Sequence, residues 1–120
     1  MTRICLTGSY VYGPVTKKSD LDIVVYEQDA EFIKTFLHQK NIEFYYVNSE
    51  KEEDYPEEVS SFYFEVSGLP RINIIVVTSQ VEMDSWIHAT KEMVAIPVIE
   101  DRSVRLSFFH ALLYSLSPKK

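Results

Sequence analysis

The stretch that decides the fold is Thr7 to Val25, TGSYVYGPVTKKSDLDIVV. Just ahead of it Ile4-Cys5-Leu6 is an apolar run of β type, so Gly8-Ser9 stands where a strand ends. Glycine lets the backbone approach a ligand closely. Backbone N–H groups and a serine hydroxyl at a turn into a helix suit a phosphate. Further on, Asp20 and Asp22 are two residues apart on the strand that continues to Tyr26, so both side chains leave the same face. Adjacent carboxylates repel one another unless a cation lies between them. Mg²⁺ takes one or two carboxylates and fills its shell with substrate phosphate oxygens. Lys17 and Lys18, in the loop before the aspartates, either meet phosphate or form a solvated loop tip. Taken singly, Gly-Ser is an ordinary turn and Asp-x-Asp a solvated strand end. Their order and spacing, with Gly13 between them and an apolar strand after them, point to a phosphate and cation site.

Working outward, the pattern Gly8-Ser9, Gly13, Ser19-Asp20-Leu21-Asp22, then Ile23, Val24 and Val25 resembles the nucleotidyltransferase superfamily typified by DNA polymerase beta. The resemblance is close only in this N-terminal part. It implies an α+β fold with a mixed sheet of roughly five strands, helices mainly on one face, and the site at the end of the first two strands. It implies Mg²⁺-dependent transfer of a nucleoside monophosphate from an NTP to a hydroxyl of an acceptor, small molecule or protein. Gly8 and Ser9, with Lys17 and Lys18, would then hold the triphosphate, and Asp20 and Asp22 the metal. The family's third carboxylate comes from a later strand, here Arg71 to Val77, and the position is filled by Asn73. An asparagine ligates a metal weakly and cannot serve as a general base. Glu65, on the preceding strand, is the substitute that hairpin register would have to bring in. Similar minimal proteins carry an arginine where Tyr12 stands here, and a helix ahead of the first strand. The segment from Leu69-Pro70 through Trp86, Ala89-Thr90, Pro97 and Glu100-Asp101-Arg102 is also similar to small phage-encoded members. Two functional readings stay open: an active nucleotidyltransferase, and a catalytically inactive nucleotide- or protein-binding module of the same fold. A third is an interaction protein, a homo-oligomer built through the last helix.

The 120 residues are expected to form a single domain, 1–120, and a 46% hydrophobic content is enough for a packed core without staples. Cys5 is the sole cysteine, which excludes an intrachain disulfide framework and suits a reducing cytoplasm. No apolar run approaches a membrane span, and no signal-peptide pattern opens the chain. A net charge of −6 argues against strong, sequence-independent nucleic-acid binding, though not against a small nucleotide held by a local site.

The rest of the chain reads as scaffold. Asp29 is expected to cap a helix through about Gln39, with Phe32, Ile33, Phe36 and Leu37 as its sheet-facing stripe. Ile42 to Val47 reads as a strand, and Asn48 to Val59 as a solvated acidic loop that lacks the spacing of a calcium site. Ser61 to Val66 and Arg71 to Val77 form a hairpin through Ser67-Gly68-Leu69-Pro70. Ser79-x-x-Glu82 is a capping box for a helix to about Ala95, with Trp86, Ala89, Thr90 and Met93 as its buried face. Asp101 caps a last helix to about Leu116, whose broad apolar surface packs on the sheet or against another subunit. His38, His88 and His110 have no companions at metal spacing and read as surface or structural residues.

Overall fold

Val24 and Val25 are neighbours on one strand, and both are fully buried, on opposite faces of a sheet. An unbroken apolar run is what a strand covered on both sides requires. The structure, a computed structural model, describes residues 3–47 and 60–116. The acidic stretch 48–59 expected to be a loop lies outside the described residues.

In chain order the elements are β1 Cys5–Thr7, α1 Ser9–Tyr12, β2 Leu21–Tyr26, α2 Glu27–Gln39, β3 Phe44–Tyr46, β4 Ser60–Phe64, β5 Ile72–Val77, α3 Gln80–Ala95 and α4 Arg102–Leu116. The strands form a five-stranded sheet in the order β1-β2-β5-β4-β3. β2 and β5 run parallel and the other neighbours antiparallel, so the sheet is mixed, as expected. Cys5, Val24, Ile75 and Val77 face α3 and α4, meeting Met83, Trp86, Ala89, Met93, Phe109 and Leu113. Val25, Phe62, Phe64 and Ile74 face the other way and meet Ala30 and Leu37 of α2. Thus α1, α3 and α4 share one side of the sheet and α2 covers the other.

Phe109 seats the last helix. Its ring lies 5.4 Å from Trp86 of α3 and stacks on Tyr12 of α1 at 5.7 Å and 22°. Burying a ring of this kind stabilises by about 1.5–3 kcal/mol. Arg102, Arg105 and Glu100 are thereby fixed relative to the end of β1. The start of α3 is held by the expected cap: Ser79 Oγ accepts from the Glu82 N–H at 3.2 Å. The return bond is displaced by one residue, since Glu82 Oε1 accepts from the Thr78 N–H at 2.9 Å and its hydroxyl at 2.7 Å. Burial alone would raise the Glu82 carboxyl, but these bonds outweigh it and hold the group below its usual value.

Three local expectations are corrected. β2 runs straight into α2, so the helix begins at Glu27 with Tyr26 in the cap position. Asp29 sits in the first turn with Glu27, where negative charge favours the helix N-terminus. The helix is also rotated from the expected stripe. Small Ala30 lies against the sheet with Leu37, and Ile33 is partly buried beside them, whereas Phe32 is 76% and Phe36 51% exposed. β3 is shorter than predicted, since pairing with β4 begins only at Phe44; beyond Tyr46 the Val47 N–H still donates to the Ser61 carbonyl at 3.0 Å. Leu6 of β1, and Ile4 just before it, are exposed, whereas Cys5 between them is buried.

Candidate active site

The site is made where β1, β2 and β5 lie side by side. Antiparallel register sets Thr7 beside Asp22, and parallel register sets Asp22 beside Asn73. The chain leaves β1 at Gly8, directly against the Asp22 carboxylate. A Cβ on Gly8 would collide with Asp22 Oδ2 and lie 3.0 Å from its Cγ, and the backbone there has φ +80°. Glycine alone satisfies both conditions. Ser9 then opens α1, whose first turn is tied by Val11 and Tyr12 N–H groups donating to the Gly8 carbonyl at 2.9 and 3.1 Å. Gly13, at φ +63°, ends it by donating its N–H to the Ser9 carbonyl at 2.7 Å.

Asp22 is buried, only 8% exposed. The Asn73 amide nitrogen donates to Asp22 Oδ1 at 3.1 Å and to Asp20 Oδ2 at 3.2 Å. One amide therefore spans the two carboxylates and relieves their repulsion. A half-turn of the same amide would present Oδ1 to a cation instead, because an amide carries a donor and an acceptor at equivalent places.

A cavity of about 500 Å³ opens over these groups. Gly8, Ser9, Lys18, Asp20, Asp22 and Asn73 all line it, so most of the predicted site residues converge. Lys17 does not; it is exposed. The loop closes on itself, with Thr16 N–H donating to Ser19 Oγ at 2.8 Å and Ser19 N–H to the Thr16 carbonyl at 3.1 Å. Glu65 is also absent from the cavity. It pairs with Arg71 at 3.8 Å, and the Arg71 guanidinium lies 4.5 Å from the Tyr63 ring centre. The hairpin register thus spends Glu65 on a surface pair.

Among the lining residues that were not predicted, Tyr12, Glu100, Arg102 and Arg105 carry ionisable groups. Tyr12 feels both charge groups. Burial, then the Asp22 carboxylate, push its phenol well above the ordinary value, opposed mainly by Arg105. Arg105 is 9% exposed, and its Nη1 donates to the carbonyls of Ile99 at 3.0 Å and Glu100 at 3.3 Å. The signal for the arginines was present in the sequence. They occupy the first turns of a helix, where positive charge opposes the helix dipole, and such a broken local rule marks a functional position.

The donor set fits a hard divalent cation: two carboxylates gathered on one amide, at the wall of a cavity. Among the described residues no group of three or more His, Cys, Asp or Glu side chains gathers as a complete metal cage. A cation there would need oxygen ligands from the substrate.

The family profile described as the nucleotidyltransferase domain matches residues 1–98. The chain belongs to this family. None of the curated proteins and none of the solved structures matches it. The matched part of this nucleotidyltransferase domain contains the glycine turn, both aspartates and Asn73; it ends before α4. The family carries out nucleotidyl transfer and binds NTPs, generally with divalent metals. No helix among the described residues is long and apolar enough to cross a membrane.

Proposed function

We propose that this nucleotidyltransferase domain transfers a nucleoside monophosphate from an NTP to a hydroxyl of a small-molecule or protein acceptor, with Mg²⁺. The observation that carries the reading is the collision a Cβ on Gly8 would make with Asp22: turn and carboxylate share one small space at the mouth of one cavity. Ser9 and the backbone of the turn hold the triphosphate, Lys18 neutralises part of its charge, and Asp20 and Asp22 hold the cation. Mg²⁺, when bound, neutralises charge on the reacting phosphate and helps align the attacking hydroxyl. The acceptor oxygen bonds to the α-phosphorus, the bond from that phosphorus to the β-bridging oxygen breaks, and pyrophosphate leaves. The hydroxyl proton passes to a cavity carboxylate, since Asn73 has no charge with which to take it. The outer face of α4, where Val104, Phe108 and Tyr114 are exposed, is the surface through which copies would associate, a point for size-exclusion mass measurement.

Asn73 also favours a second reading, a nucleotide-binding module without turnover. The two are separated by measuring thermal stability with Mg²⁺ and each NTP, then incubating with α-labelled NTP and cell lysate. A nucleotide at about 100 times its dissociation constant should stabilise the fold by roughly 2.7 kcal/mol. Asp20→Asn and Asp22→Asn should each remove the Mg²⁺-dependent part. Label on an acceptor supports transfer; stabilisation without label supports the binding module. No stabilisation by any NTP would overturn both.

A further inference from the structure

The wall of the cavity opposite in charge to the aspartates comes from α4 and the loop before it. Arg105 is nine-tenths buried, yet its hydrogen bonds go to neutral carbonyls of Ile99 and Glu100. Among the described residues no carboxylate pairs with it. A buried guanidinium without a counter-charge is costly, and it is retained where an anion supplies that charge. The carbonyls occupy the hydrogens on Nη1, and the donors on Nε and Nη2 form the planar fork that suits phosphate oxygens. Arg102 lies three residues earlier on the same helix, on the same face, and lines the same cavity. The stacking of Phe109 on Tyr12 fixes this face of α4 against α1, so the arginines line the same cavity as the turn at Gly8-Ser9.

We infer that Arg105, backed by Arg102, forms a polyphosphate subsite on α4, a positioning device outside the part of the chain that carries the family match. It rests on the nucleotide reading above and sharpens it: the ligand class is a chain of linked phosphates spanning from α1 to α4, so a nucleoside triphosphate is preferred over a monophosphate. With a cation on the aspartates, the cavity then offers positive charge from both sides to the phosphates between them.

The test uses the whole chain and inorganic tripolyphosphate as probe, with MgATP and AMP alongside, by calorimetry. Arg102 is exposed, so Arg102→Gln should still fold, as its unfolding curve will show; tripolyphosphate affinity should fall about tenfold and AMP affinity less than twofold. Arg105→Lys keeps the charge but loses the fork, and should weaken tripolyphosphate more than AMP. Asp20→Asn removes a negative charge from the cavity and should not weaken metal-free tripolyphosphate binding, which goes through the arginines. That outcome separates the two readings: if tripolyphosphate binds through the arginines but no NTP is ever transferred, the subsite stands and the enzyme reading falls. Tripolyphosphate affinity unchanged within twofold in both Arg102→Gln and Arg105→Lys, or no tripolyphosphate binding by the wild type, would overturn the inference.

Discussion

Asn73 gives one nitrogen to two carboxylates, and Gly8 gives one of those carboxylates the room it needs. Both residues make predictions. Asn73→Asp would gather three like charges and delete both amide bonds. In EDTA it should lose about 2 kcal/mol in urea unfolding, and it should recover stability steeply with added Mg²⁺. Equal stability in EDTA would mean that the amide is not what holds the aspartates together. Gly8→Ala should cost about 2 kcal/mol or more, from φ strain and displacement of Asp22, and should weaken Mg²⁺ binding in the same titration. At this scale the sequence was informative where spacing along one strand suffices, as for Asp20 and Asp22. It was uninformative for Lys17 against Lys18, because adjacent loop residues are separated only by hydrogen bonds of the turn that carries them.

Among the elements, α3 was legible to its last residue, since its cap, its buried face and the proline after it are all local signals. Ser79→Ala should destabilise by about 1 kcal/mol, read by thermal unfolding. Glu82 has a folded-state pKa below its unfolded one. Its stabilisation is therefore complete above the unfolded value, near 4.3, and fades as pH falls through the folded value. Glu82→Gln should flatten the loss of stability below about pH 5, and a pH series of unfolding curves identical to wild type would refute the assignment. α2 was less legible. Its two phenylalanines have helical spacing with the true stripe, but the small Ala30 decides which side can approach the sheet, and periodicity does not weigh size. α4 was placed correctly in the sequence, yet its contribution to the site was not, because the packing of Phe109 on Tyr12 joins residues far apart in the chain.

For the molecule as a whole, the sheet order follows from no single segment. The parallel contact of β2 with β5 spans the chain between Tyr26 and Ile72, and only the assembled fold brings Asn73 to the aspartates. The net charge of −6 belongs to this scale. Fluorescence polarisation with single- and double-stranded oligonucleotides at 150 mM salt should show no binding at micromolar protein, whereas nucleotides should bind. Tight oligonucleotide binding would point to a polymer as acceptor.

The stacked rings of Tyr12 and Phe109 have a consequence for biosynthesis. One ring emerges from the ribosome early and its mate only after β5 and α3 have been made. A nascent polypeptide that has exposed β1, β2 and β5 but still holds Phe109 in the exit tunnel owns its aspartates and lacks its arginines. Such a chain cannot close the cavity, so competence waits for α4 to emerge rather than accumulating strand by strand.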